Sequence, residues 1–183
     1  MTFLFCDLVG STQLSTRMDP EDLRELIAEY RQACTQAVSR YEGTIAQYYG
    51  DGILVYFGYP VAHEDDARRA VQSALDIVRT VHELGDRLRE SGGEPISVRI
   101  GIHTGLAVVG DVGGPNQTER LAHGDTPNIA ARIQGLAEPD TVIVSAATHR
   151  LVAGFFRSAS MGPQALKGVS EPNRDRLAAL EEK

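Results

Sequence analysis

The hydrophobic pattern changes period several times along the chain, and each change marks an element. Thr2-Phe3-Leu4-Phe5-Cys6 is a short, largely apolar run that predicts a buried strand ending at Asp7. A turn-like Gly10-Ser11-Thr12 follows. A helix is expected from Asp19-Pro20, with Asp19 as N-cap and Pro20 at the first helical position. Leu23, Leu26, Ile27, Tyr30, Ala33, Cys34, Ala37, Val38 and Tyr41 then keep the three-and-four spacing of one buried face, and Gly43 closes the helix. Strand candidates Thr44 to Tyr49 and Ile53 to Phe57 enclose Gly50-Asp51-Gly52, a hairpin signal. A second long helix runs from His63 to Arg89 and breaks at Ser91-Gly92-Gly93.

Ile96 to His103 alternates as a strand, and Ala107 to Val112 extends or pairs with it. Gly113 to Gln117 reads as a loop, Glu119 to Ala122 as a short strand and Pro127 to Leu136 as a third helix. A strand at Thr141 to Val144, a helix at Ala146 to Val152 and a last strand near Arg176 to Leu180 complete the chain. The βαββαβ order up to residue 112 matches a ferredoxin-like α+β palm with helices on one face, followed by a C-terminal α/β extension. No internal repeat or low-complexity linker divides it, so residues 1–183 are read as one domain.

Composition narrows the function. The 183 residues are 42% hydrophobic and 23% charged, which supports a packed core. A net charge of −7 argues against a general nucleic-acid binder, yet a few local cations and a metal can hold a triphosphate in an acidic protein. Cys6 and Cys34 cannot build a disulfide scaffold or a four-thiolate zinc site, and read as core residues of a reducing compartment. The five histidines lie at no zinc-like spacing. No apolar stretch reaches bilayer length and no basic-then-apolar leader is present, so a soluble cytoplasmic domain is expected. A strand beginning one residue from the start suggests a domain cut from a longer chain.

Four places can carry chemistry. Asp7 ends a strand and Asp51 tips the next hairpin, so a βαββ unit can bring both to one sheet edge. Such a pair is costly without a cation, since each carboxylate raises the other's pKa, and hard ions such as Mg²⁺ take one or two carboxylates plus phosphate oxygens. Gly10-Ser11-Thr12 sits directly after the Asp7 strand and is suited to close approach by phosphate, although no P-loop lysine is present. Asn128 and Arg132, four apart on the third helix, project from one face near its N-terminus. There Asn is a neutral donor and acceptor, and Arg a cationic fork. Lys167, in Leu166-Lys167-Gly168, is an isolated cation.

Together and in this order, five blocks resemble the class III nucleotidyl cyclase catalytic domain. They are residues 5–12 (FCDLVGST), 49–52 (YGDG), 99–105 (RIGIHTG), 124–132 (GDTPNIAAR) and 166–168 (LKG). Residues 56–60 (YFGYP) and 62–67 (AHEDDA) resemble bacterial members fused to large ATPase-like regulatory regions. The resemblance implies that Asp7 and Asp51 hold two Mg²⁺ or Mn²⁺ ions. It also implies that Asn128 orients the ribose, Arg132 balances charge on the α-phosphate and Lys167 contacts the terminal phosphates. A head-to-tail homodimer is implied, with the acids from one protomer and Asn128, Arg132 and Lys167 from the other. At the positions that read the base, this chain has Gln47 and Leu121 in place of the family's usual polar pairs. A Gln amide can serve adenine or guanine by flipping, and Leu121 offers only shape, so ATP is the expected substrate with GTP also turned over. The competing reading is a cyclase-fold module that binds nucleotide or dimerises without turnover. A diguanylate-cyclase-like palm is disfavoured by the short Gly50-Asp51-Gly52 hairpin, and a polymerase palm by the charge.

Overall fold

The computed structural model describes residues 1–90, 92–114, 117–163 and 176–181, without the side chains of 111–123, 163 and 176. Strands β1 (Thr2–Leu8), β2 (Thr44–Tyr49), β3 (Gly52–Phe57) and β4 (Val98–Thr104) form the palm. With β7 (Thr141–Val144), β8 (Arg157–Pro163) and β9 (Arg176–Glu181) they make one seven-stranded sheet in the order β2-β3-β1-β4-β7-β9-β8. Among the described strands, only the β4–β7 pair is parallel. Strands β5 (Val108–Gly114) and β6 (Gln117–His123) form a separate antiparallel ribbon.

Alternation along β1 sorts the layers. Leu4, Cys6 and Leu8 point into the main core beneath α2 (Pro20–Arg40) and α3 (Asp66–Glu90). Phe3 and Phe5 point to the opposite face, against Leu54, Tyr56 and Ala130 of α4 (Thr126–Gln134). Both palm helices therefore lie on one face, as the sequence implies, and α4 covers the other. Helix α2 starts where expected, with Asp19 Oδ1 accepting from the Glu21 amide at 3.0 Å and Pro20 in the first turn. Asp76, buried on α3, accepts from both Arg40 of α2 and Arg79, which ties the two long helices together.

Several expectations change. Ser11 to Arg17 is not a turn but a helix, α1, entered through Gly10 at φ 71°. Its polar sequence has no amphipathic signal, and Leu14 is the one residue of α1 that is buried. Residues 113, 114 and 117 belong to β5 and β6 rather than to a loop, while 115 and 116 lie outside the described residues. The polar edge strand β8 shows no alternation and forms by pairing with β9. Glu42, not Gly43, takes the left-handed conformation after α2. Gly43 is required for space, since a Cβ there would come within 2.7 Å of the Phe57 ring.

Gly101 sets the seat of α4. A Cβ on this β4 residue would lie 2.3 Å from the Gln134 nitrogen and 2.4 Å from the Ala130 oxygen, both backbone atoms that cannot swing aside. Gly101→Ala is therefore expected to cost about 3 kcal/mol by forcing helix and strand apart. Chemical denaturation checks this, and an unchanged midpoint would refute the close seat.

Candidate active site

The acid pair forms as the topology predicts. Asp7 shares the α4-facing side of β1 with Phe3 and Phe5, and Asp51 is the second residue of the two-residue turn joining β2 and β3. Gly50 begins that turn at φ 64°, a conformation that favours glycine and matches the twist of a tight hairpin. Gly52 follows with its own reason: a Cβ there would lie 3.3 Å from the Phe5 ring and 3.4 Å from Asp7 Oδ1. The glycine keeps clear the space in which the two carboxyls meet.

Burial raises the Asp7 pKa to about 6, helped by the charge of Asp51 and by a hydrogen bond between the two side chains. The Leu8 amide and the positive charge of Arg99 act in the other direction. Arg99 is the register partner of Asp7 on β4, a neighbour to which sequence reading assigned no role. Asp51 Oδ2 is buried and has no hydrogen-bond partner. Two facing carboxylates with an unsatisfied buried oxygen fit a divalent cation, and no cluster of three or more ligating side chains occurs among the described residues. A two-carboxylate set leaves the remaining coordination positions to phosphate and water oxygens, which suits Mg²⁺ or Mn²⁺.

Gln47 reaches the same face through a β-bulge. Ile45 pairs with Val55 and Gln47 with Leu54, so Ala46 is the extra residue. In a regular strand, alternation from Ile45 would turn Gln47 toward the helices; with the bulge, Gln47 and Tyr49 share the face of Leu54, Phe5 and Asp7. Gln47 Oε1 is buried and unpartnered. Leu121 lies on β6 opposite Gly110, with its side chain outside the described residues, as is all of Lys167.

Asn128 and Arg132 are placed on α4, but not facing the acids. Thr126, Ala130, Ile133 and Gln134 form the buried stripe of α4. At about 100° per residue, Asn128 and Arg132 stand roughly 160° from Ala130, on the side turned away from the sheet. Both are exposed. The Thr126 Oγ1 donates to the Leu106 oxygen at 2.5 Å and ties α4 to the connection after β4. Gly10, Ser11 and Thr12 stand at the start of α1, directly after the Asp7 strand.

This fold and site define a nucleotide-cyclase catalytic domain. The model of the adenylate and guanylate cyclase catalytic domain matches residues 1–178, and the chain belongs to that family. Adenylate cyclase 1 of Rhizobium meliloti (strain 1021) is 31% identical over 172 residues, 93% of this chain but 26% of that protein. Guanylate cyclase 32E of Drosophila melanogaster is 29% identical over 174 residues, again 93% of this chain and 15% of that protein. The chain thus spans about a quarter or less of these two relatives. Among solved structures, the adenylyl cyclase CyaB from P. aeruginosa superimposes with a TM-score of 0.94 at 28% identity, covering 100% of this chain and 93% of that one. The guanylyl cyclase Cya2 gives 0.87 at 28% identity, covering 98% and 88%. No helix among the described residues is long and apolar enough to cross a membrane.

The raised pKa of Asp7 has a signed consequence. Between about pH 4 and 6 the folded chain holds a proton that the unfolded chain releases, so the stability Asp7 contributes falls as pH rises through that window. In metal-free buffer Asp7→Asn should match the parent in melting temperature at about pH 4 and exceed it by about pH 7. A difference that stays flat with pH, measured by thermal melts, would contradict the paired-acid geometry.

Proposed function

We propose that the domain converts ATP, and more slowly GTP, to the 3′,5′-cyclic nucleotide and pyrophosphate in a site shared between two copies of the chain. One observation carries this reading: the paired acids lie on the sheet face while Asn128 and Arg132 point away from it on α4. One chain cannot close these groups around a single substrate. A second copy, head-to-tail, can present its Asn128 and Arg132 to the first copy's Asp7 and Asp51, and symmetry then creates two such sites. Apolar side chains left in solvent beside α4 support a covering partner, with Leu106 95% and Val108 71% exposed.

In this reading Asp7 and Asp51 hold Mg²⁺ or Mn²⁺, two ions per site, which when bound supply Lewis-acid polarisation of the ribose 3′-hydroxyl and the α-phosphate. The 3′-oxygen forms a bond to the α-phosphorus, the bond to the bridging oxygen breaks, pyrophosphate leaves and the hydroxyl proton passes to solvent. Asn128 fixes the ribose so that the 3′-oxygen stands in line with that bond. Arg132 places a permanent cation where charge grows on the α-phosphate. Lys167 and the Gly10-Ser11-Thr12 start of α1 bind the phosphates. Gln47 reads the base edge, and Leu121 shapes the pocket without a hydrogen bond, so purine discrimination is shallow. Regulatory regions in a longer chain would act on how the two copies meet.

The deciding assay incubates the domain with ATP or GTP and Mn²⁺ and measures cAMP and cGMP. Cyclic product from ATP with a smaller yield from GTP is expected; strict GTP use overturns the base-reading argument, and no product at all favours the non-catalytic module. Asp7→Ala and Arg132→Ala should each be inactive alone, yet regain activity when mixed, because the heterodimer contains one intact site. Failure to recover activity counts against sharing. Leu106→Asp should shift the chain to monomer in sedimentation and abolish turnover while leaving its melt cooperative.

A further inference from the structure

We propose that Arg31, on α2, is the positioning residue for the turn that carries Asp51. Its Nη2 donates to the Gly50 oxygen at 2.5 Å across 19 residues of sequence. The guanidinium carbon stands 4.9 Å from the centroid of the Tyr48 ring, which it covers. Tyr48 is tethered in turn, its hydroxyl 3.4 Å from Thr35 Oγ1 on the next turn of α2. Arg31 is half-buried, with its Nε buried and without a hydrogen-bond partner.

The turn needs such a hold. Gly50 sits at φ 64°, and a Cβ built there would meet nothing within 4 Å, so no packing confines the turn at that residue. The peptide linking Gly50 to Asp51 is planar, and fixing its oxygen fixes the plane from which the Asp51 Cα departs. Arginine suits both roles, since one Nη can donate while the flat face lies on an aromatic ring. Lysine can donate but cannot lie flat. Tyr48 faces Arg31 because the bulge has already turned its neighbours Gln47 and Tyr49 to the opposite side. Arg31 does not touch substrate in this scheme; it acts through the backbone of the turn.

The inference deepens the acid-pair reading and rests on it for the metal. Two measurements on the same metal-free domain separate them. Amide hydrogen exchange at residues 50–52 should quicken several-fold in Arg31→Ala and less in Arg31→Lys. Mn²⁺ affinity, followed by the free-ion EPR signal, should weaken about tenfold in Arg31→Ala, the lower end of the range for outer-shell partners, and largely recover in Arg31→Lys. Should Arg31→Ala fail to fold, Tyr48→Leu removes the stacking surface and should quicken the same amides. Unchanged exchange at 50–52, or a lower melting temperature with unchanged Mn²⁺ affinity, overturns the proposal. Parent protein that binds Mn²⁺ no better than Asp51→Asn overturns the acid-pair reading instead, and the exchange result still decides for or against Arg31.

Discussion

Two carboxyl groups that repel each other are held together on one face of a sheet, and the architecture around them is arranged to keep them there. Asp7 cannot retreat, because its neighbours Cys6 and Leu8 are locked into the core on the other side of β1. Asp51 sits on a two-residue turn that closes a buried strand, and on the proposed reading Arg31 holds that turn through the Gly50 oxygen. The fold therefore bears a cost at neutral pH, set first by the burial of Asp7 and then by the charge of Asp51, and visible in the Asp7 pKa of about 6. The Leu8 amide and Arg99 offset only part of it. On the proposed reading, a divalent cation would offset the repulsion and give the buried Asp51 Oδ2 a partner.

The second constraint is the contact between α4 and β4. Gly101 lets the helix backbone come down onto the strand, which commits Ala130, Ile133 and Gln134 to the sheet and leaves Asn128 and Arg132 on the far side. A helix seated this closely cannot rotate to bring them back without driving its buried residues out of contact. Division of the site between chains, on the proposed reading, is thus a consequence of packing as much as of catalysis. It also means that whatever alters the approach of two copies alters the chemistry without touching a reacting residue.

Much of this is legible in the order of residues. Strong periodicity revealed α2 and α3, and the continuous apolar runs revealed the central strands, because burial on one or both faces writes itself into composition. Asp7 and Asp51 could be paired from topology alone, since a hairpin following a βα unit returns beside the first strand. The outward face of α4 was only half readable: spacing placed Asn128 and Arg132 on one side, but which side met the sheet depended on Gly101. Helix α1 and strand β8 left no signal, being polar segments held by a single anchor or by ladder pairing. The bulge at Ala46 was equally silent. It is one extra residue in the pairing, and only register reveals that it reverses the direction of Gln47.

That bulge and the Asp51 turn sit at opposite ends of one short piece of β2. From Gln47 to Gly50 the chain alternates between the site and the helix layer: Gln47 and Tyr49 face the acids, and Tyr48 faces Arg31. On the proposed reading, Gln47 contacts the base and Asp51 the metal, so only Tyr48, Tyr49 and Gly50 separate the group that chooses the substrate from one that activates it. Such a segment is too short and too extended to absorb a change at one end. On that reading a base that fits poorly against Gln47 would pull on β2, and Arg31 and Tyr48 would hold the turn against that pull. Discrimination between purines would then depend on the stiffness of this hairpin as well as on the hydrogen bonds offered to the base.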